Sequence, residues 1–126
     1  VYKRQVHKIG GFRVQGREAE QATRMLKDAQ ALEQAGADIV LLECVPNEVG
    51  KTIRDALRVP VIGIGAGPDV DGQILVLYDV LGITRGPMPR FVKNFMEEAP
   101  GALEACAAFV AAVKGGSYPA PEHCFS

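Results

Sequence analysis

The chain has 126 residues, 48% of them apolar and 23% charged, which is the make-up of a packed globular protein and excludes a disordered one. It is long enough for one domain or part of one, and too short for the roughly 200 to 250 residues that a complete barrel of alternating strands and helices needs. Lys and Arg number 14 against 15 Asp and Glu, for a formal charge of -1, so neither nucleic acid nor an anionic membrane is an expected partner.

Cys44, Cys106 and Cys124 are widely spaced, with no CxxC pair, and indicate neither a disulfide framework nor structural zinc. No apolar run approaches the roughly 18 residues of a membrane span. A reducing, cytoplasmic setting is the expectation.

Residues Val6 to Gly16, with three glycines, read as a loop. From Arg17 to Ala35 the apolar positions Ala22, Met25, Leu26, Ala29 and Leu32 recur at three and four, one face of a helix, and Gly36 is its expected stop. Ala37 to Cys44 is a continuous apolar run until Glu43, the pattern of a strand buried on both faces. Val49, Ile53, Ala56 and Leu57 predict a second helix closing at Arg58, and Val61 to Ile64 a second strand that dissolves into Gly65, Ala66, Gly67 and Pro68. Ile74 to Tyr78 fits a strand or the start of a helix, with a strand favoured. A short amphipathic helix is expected around Phe91, Val92 and Phe95, a last one from Leu103 to Val113 before Gly115 and Gly116, and an irregular tail from Ser117.

Helix and strand alternating across short connections predict an α/β fold with a parallel sheet. Two or three strands are fewer than the usual four to six or so, and leave edges unpaired. The chain therefore reads as a segment of a larger α/β domain, or as one that needs partner chains.

Glu43 is the leading candidate for chemistry. It is the only carboxylate at the C-terminal end of an otherwise apolar strand, and in α/β proteins the ligand crevice lies outside the carboxyl ends of the strands. Partial desolvation there would raise its pKa and suit a general base; the alternative is a solvated strand-end carboxylate or a cap on the next helix. Gly63, Gly65 and Gly67 end the second strand at the same face. They could bring backbone close to an anion, or simply make a tight turn; neither the GxGxxG nor the GK[ST] fingerprint is present. Asp69, Asp71 and Asp79 could bind a hard cation, but aspartate is common in turns for its own reasons. His7 and His123 lack ligand spacing. Strand alternation points Cys44 away from Glu43, as a small filler against a covering helix.

Five strings in order carry a resemblance: Gly10-Gly-Phe-Arg-Val-Gln-Gly-Arg17, Leu41-Leu-Glu-Cys-Val-Pro46, Pro60-Val-Ile-Gly-Ile-Gly-Ala-Gly67, Asp71-Gly-Gln-Ile-Leu-Val76, and Tyr118-Pro with Glu122-His123. Together they resemble the carboxyl-terminal part of the ketopantoate hydroxymethyltransferase (3-methyl-2-oxobutanoate hydroxymethyltransferase) family. The resemblance implies a (β/α)8 TIM barrel of the phosphoenolpyruvate/pyruvate superfamily type, with Asp38–Cys44, Val61–Ile64 and Gln73–Tyr78 as strands six, seven and eight. It also implies a cytoplasmic homo-oligomer, a decamer, in pantothenate and coenzyme A biosynthesis, moving a hydroxymethyl unit from 5,10-methylenetetrahydrofolate to 2-oxoisovalerate. Magnesium would act as a Lewis acid on the keto oxygen of that acid.

By that resemblance Glu43 matches the family's base, and Gly63, Gly65 and Gly67 would shape the pocket wall. The family's magnesium ligands and its oxo-acid-binding lysine and serine belong to earlier strands, and no position here matches them. Val1 to Gln5 match nothing in the family and read as a non-native leader, leaving residues 6–126 as the barrel segment. Cys124 stands where serine is usual. The chain alone is thus expected to be inactive. The competing expectation is a non-catalytic module that binds a small anion through the Gly63–Gly67 loop.

Overall fold

The computed structural model describes residues 14–126. The expectations for Val1–Gln5, for His7 and for most of the Gly10–Arg17 string lie outside the described residues.

Helix α1 is Ala19–Gln34. It ends as the sequence predicts: Gly36 takes φ +95°, and the Ala37 amide donates to Leu32 O at 3.0 Å, a left-handed cap that turns the chain toward the sheet. Strand β1, Val40–Glu43, leads to helix α2, Asn47–Ala56, and then to β2, Val61–Ile64. Glu33 of α1 shapes the second connection, its Oε1 accepting the Arg58 amide at 2.6 Å and the Val59 amide at 3.1 Å. The final strand β3, Gly72–Gln73, completes a sheet of order β1-β2-β3 in which both pairings are parallel, as expected of strands joined by crossovers.

Three expectations change. β1 is not buried on both faces: Val40 and Leu42 pack under α1 and α2 with Ala29, Ile53 and Val61, whereas Ile39 and Leu41 are 59% and 49% exposed. Helices cover one face of the sheet and leave β1 bare on the other.

The apolar run Ile74–Tyr78 is not a strand. It continues the β3 ladder by one bond, from Ile74 N to Gly63 O at 2.9 Å, and then winds into α3, Leu77–Val80. A run this short carries no decisive period, so its ends decide: Asp79 and Val80 amides both donate to Val76 O, and Gly82 at φ +65° stops the turn. The expected helix around Phe91 is instead a 3-10 turn, Phe95–Glu98, which begins where Asn94 Oδ1 accepts the Met96 amide at 3.0 Å.

Helix α4, Ala102–Lys114, packs on that turn. The core between them is aromatic: Phe95, Phe109 and Tyr118 meet edge to face with centroids 5.5 to 5.8 Å apart. Tyr118 is buried, and its hydroxyl donates to Phe91 O at 2.5 Å. Burial holds its phenol well above the usual range, so it stays a donor.

Two substitutions probe this packing. A Cβ on Gly65 would sit 2.5 Å from Phe91 Cδ1 at a φ of +65°. Gly65→Ala is expected to lower unfolding stability by about 2–4 kcal/mol in urea titration, overpacking and left-handed strain acting together. Tyr118→Phe leaves the Phe91 carbonyl without its donor and is expected to cost about 1–2 kcal/mol in the same measurement.

Candidate functional site

The parallel register sets Val40 opposite Val61, Leu41 opposite Ile62, Leu42 opposite Gly63, and Glu43 opposite Ile64. Side chains alternate along a strand, so Leu41, Glu43, Ile62 and Ile64 share the face opposite the helices. Glu43 therefore stands at the C-terminal end of β1, half-buried, on the face that α1 and α2 leave uncovered.

The covering of these strand ends comes from far along the chain. Phe91 packs on Ile64 and Cys44. Phe125 joins the same cluster, meeting the Phe91 ring edge to face at 6.4 Å. The tail is tied down there, with the Asn47 amide donating to Phe125 O at 3.0 Å and Arg90 Nη1 to Cys124 O at 3.4 Å. A shallow cleft of about 360 Å³ lies between Asn47, Pro68, Arg90, Pro119 and Phe125, at the end of the sheet where Glu43 stands. Phe91, Arg90 and Phe125 were invisible as site residues in the sequence, because nothing local ties them to β1.

The glycines explain the close fit. Protein atoms fill the space over each: Val70 at Gly63, Phe91 at Gly65, Asn47 at Gly67, all under 3.0 Å from where a Cβ would stand. Gly65 and Gly67 also have positive φ, +65° and +82°. The string thus lets Phe91 and the start of α2 close against the strand ends.

Cys44 departs from expectation. Alternation placed it against a helix; instead its side chain lies with Ile64, Phe91 and Phe125, and Val45, fully buried, takes the helix-side position. Its backbone is left-handed, at φ +56°, which breaks the alternation.

The aspartates do not converge. Asp71 accepts the Val61 amide at 2.9 Å and pairs with Arg54 at 3.1 Å, at the opposite end of β2 from Ile64 and Glu43. The Val61 amide, helped by Arg54, holds its carboxyl below the usual range against some desolvation. Asp79 is buried and accepts Thr84 Oγ1 at 2.5 Å, while Asp69 is exposed. Among the described residues no group of three His, Cys, Asp or Glu side chains could hold a metal ion. No helix among them is long and apolar enough to cross a membrane.

These features define a parallel α/β segment with a carboxylate at the carboxyl end of a strand and an aromatic wall beside it. The model of the ketopantoate hydroxymethyltransferase family matches residues 2–121. Among curated relatives, the 3-methyl-2-oxobutanoate hydroxymethyltransferase of Alkalilimnicola ehrlichii is 61% identical over 120 residues, 95% of this chain and 43% of the relative. That of Halorhodospira halophila is 58% identical over 121 residues, 96% and 44% of the two chains, and that of Chromohalobacter salexigens 55% identical over 120, 95% and 46%. The chain belongs to the ketopantoate hydroxymethyltransferase family. It spans less than half the length of these relatives.

His123 secures the tail near this site. Its Nδ1 accepts the Ala120 amide at 3.1 Å, and its ring lies 5.2 Å from that of Tyr118. Burial, with Lys93 acting the same way and Glu122 opposing, holds its pKa below the ordinary value of 6.5. A depressed histidine favours the fold fully above about pH 6.5, and that contribution is lost as pH falls through the folded value. Urea midpoints are expected to drop between about pH 7.5 and 5. In His123→Asn, whose Oδ1 can accept the same amide without titrating, the drop is expected to be shallower.

Proposed function

We propose that this chain is the C-terminal part of a (β/α)8 barrel, with β1, β2 and β3 as its sixth, seventh and eighth strands, and that Glu43 is the general base of ketopantoate formation. Support comes from the parallel order and from the exposed Leu41 on β1 with Ile39 just before it. A barrel fills its interior with layers of such side chains and builds its active site at the carboxyl ends of the strands. The single observation that carries the reading is Glu43 on that face, at that end, in a chain of this family.

Glu43 takes the proton from C3 of 2-oxoisovalerate, the carbon beside the keto group. The resulting enolate carbon forms the new bond to the one-carbon unit of 5,10-methylenetetrahydrofolate; both carbon–nitrogen bonds of that unit break, water supplies the hydroxyl oxygen, and the protons of water and of C3 end on the two folate nitrogens and the new hydroxyl as tetrahydrofolate leaves. Phe91 and Phe125 pack with Cys44 and Ile64 beside this end of the strands and form an apolar wall next to the carboxylate. Among the described residues no cluster of His, Cys, Asp or Glu fits a magnesium ion. The family's metal would be held by strands that this chain does not contain. The complete enzyme is read as a cytoplasmic homo-oligomer, a decamer by resemblance.

The alternative is a module binding a small anion through Gly63 to Gly67, where Val70, Phe91 and Asn47 stand on the side a Cβ would occupy.

In the complete enzyme carrying this segment, Glu43→Gln is expected to slow C3 proton exchange of 2-oxoisovalerate by about 10³-fold or more while oxo-acid binding is retained. Deuterium exchange followed by proton NMR, with calorimetry for binding, checks both, and wild-type exchange would remove Glu43 from the mechanism. The 126-residue chain by itself is expected to show no magnesium-dependent exchange in the same assay.

A further inference from the structure

Cys44 is the only residue other than glycine with a positive φ among those described. A side-chain-bearing residue enters this left-handed region against a clash of its Cβ with a neighbouring carbonyl oxygen, and the usual exceptions are Asn and Asp. Such an outlier persists only where its surroundings over-determine it, and such outliers collect where function needs a fixed geometry.

Three hydrogen bonds on the two peptide groups flanking Cys44 hold this one. The Cys44 amide donates to Ile64 O at 2.9 Å, the Cys44 carbonyl accepts the Gln15 amide at 2.9 Å, and the Val45 amide donates to Gly65 O at 3.0 Å. Ile64, Phe91 and Phe125 enclose the side chain. The kink comes directly after Glu43, the last residue in register with β2. The Cα–Cβ direction of Glu43 is therefore set from one side by the ladder and from the other by the left-handed turn.

We propose that Cys44 is a positioning residue: its left-handed backbone, closed beneath Phe91 and Phe125, fixes the direction in which Glu43 presents its carboxylate. This rests on the reading of Glu43 as the base. The side chain suits the task because it is small, apolar and unbranched at Cβ; β-branched residues resist this conformation most strongly.

The test measures C3 proton exchange in the complete enzyme carrying this segment. Cys44→Val is expected to lower kcat by about 30-fold or more, with KM for the oxo acid changed less than about threefold, since a misaimed base slows chemistry and leaves binding intact. Cys44→Gly, free to adopt positive φ, is expected to stay within about threefold of wild type. Should the valine variant fail to fold, Cys44→Thr carries the same β-branch with a smaller apolar surface, and is expected to lower kcat at unchanged KM. Wild-type kcat in the valine or threonine variant, or a glycine variant as slow as the valine one, would overturn the proposal. Glu43→Gln run alongside separates the two claims: exchange retained there removes the base, whereas exchange lost there with Cys44→Val unaffected removes only the positioning role.

Discussion

Everything at the candidate site depends on the parallel pairing of β1 with β2. Because Val40 lies opposite Val61 and Glu43 opposite Ile64, the carboxylate arrives at the strand end on the face opposite the helices. A slip of one residue would send Glu43 beneath α1 and α2 and bring Leu42 out into its place. Two features hold the register. Val40, Leu42 and Val61 are buried with Ile53 and Ala29, and the ladder continues past the strands, through Cys44 to Ile64 and Val45 to Gly65.

Past that pairing the chain closes over its own strand ends. Phe91 and Phe125 come from segments more than forty residues away, yet their fit is prepared by the glycines of β2 and its loop. The buried Tyr118, bonded to Phe91 O, links this wall to the aromatic core under α4. Wall, tail and second core are therefore one mechanical unit, so a change at Tyr118 or His123 reaches the neighbourhood of Glu43 without touching it.

The bare face of β1 gives the family assignment its physical sense. Ile39 and Leu41 are large apolar side chains left in water on one side of a short parallel sheet, where such sheets are ordinarily covered on both. The chain spans less than half the length of its curated relatives.

The sequence by itself determined α1 and its glycine stop, β1, β2, α2 and α4, because each carries a run long enough for its period to show or bounded by clear punctuation. It also placed Glu43, a lone carboxylate, at the end of an apolar strand. It misjudged what lacks a local period: β1 as covered on both faces, Ile74–Tyr78 as a strand, and Cys44 as a helix-facing filler. Only the tertiary structure decided those, since exposure of Leu41 depends on which helices exist to cover it, and the direction of Cys44 depends on a left-handed backbone held by Gln15, Ile64 and Gly65. The aromatic wall was likewise beyond reach, because Phe91 and Phe125 meet β1 through distant packing that leaves no trace in the spacing of residues along the chain.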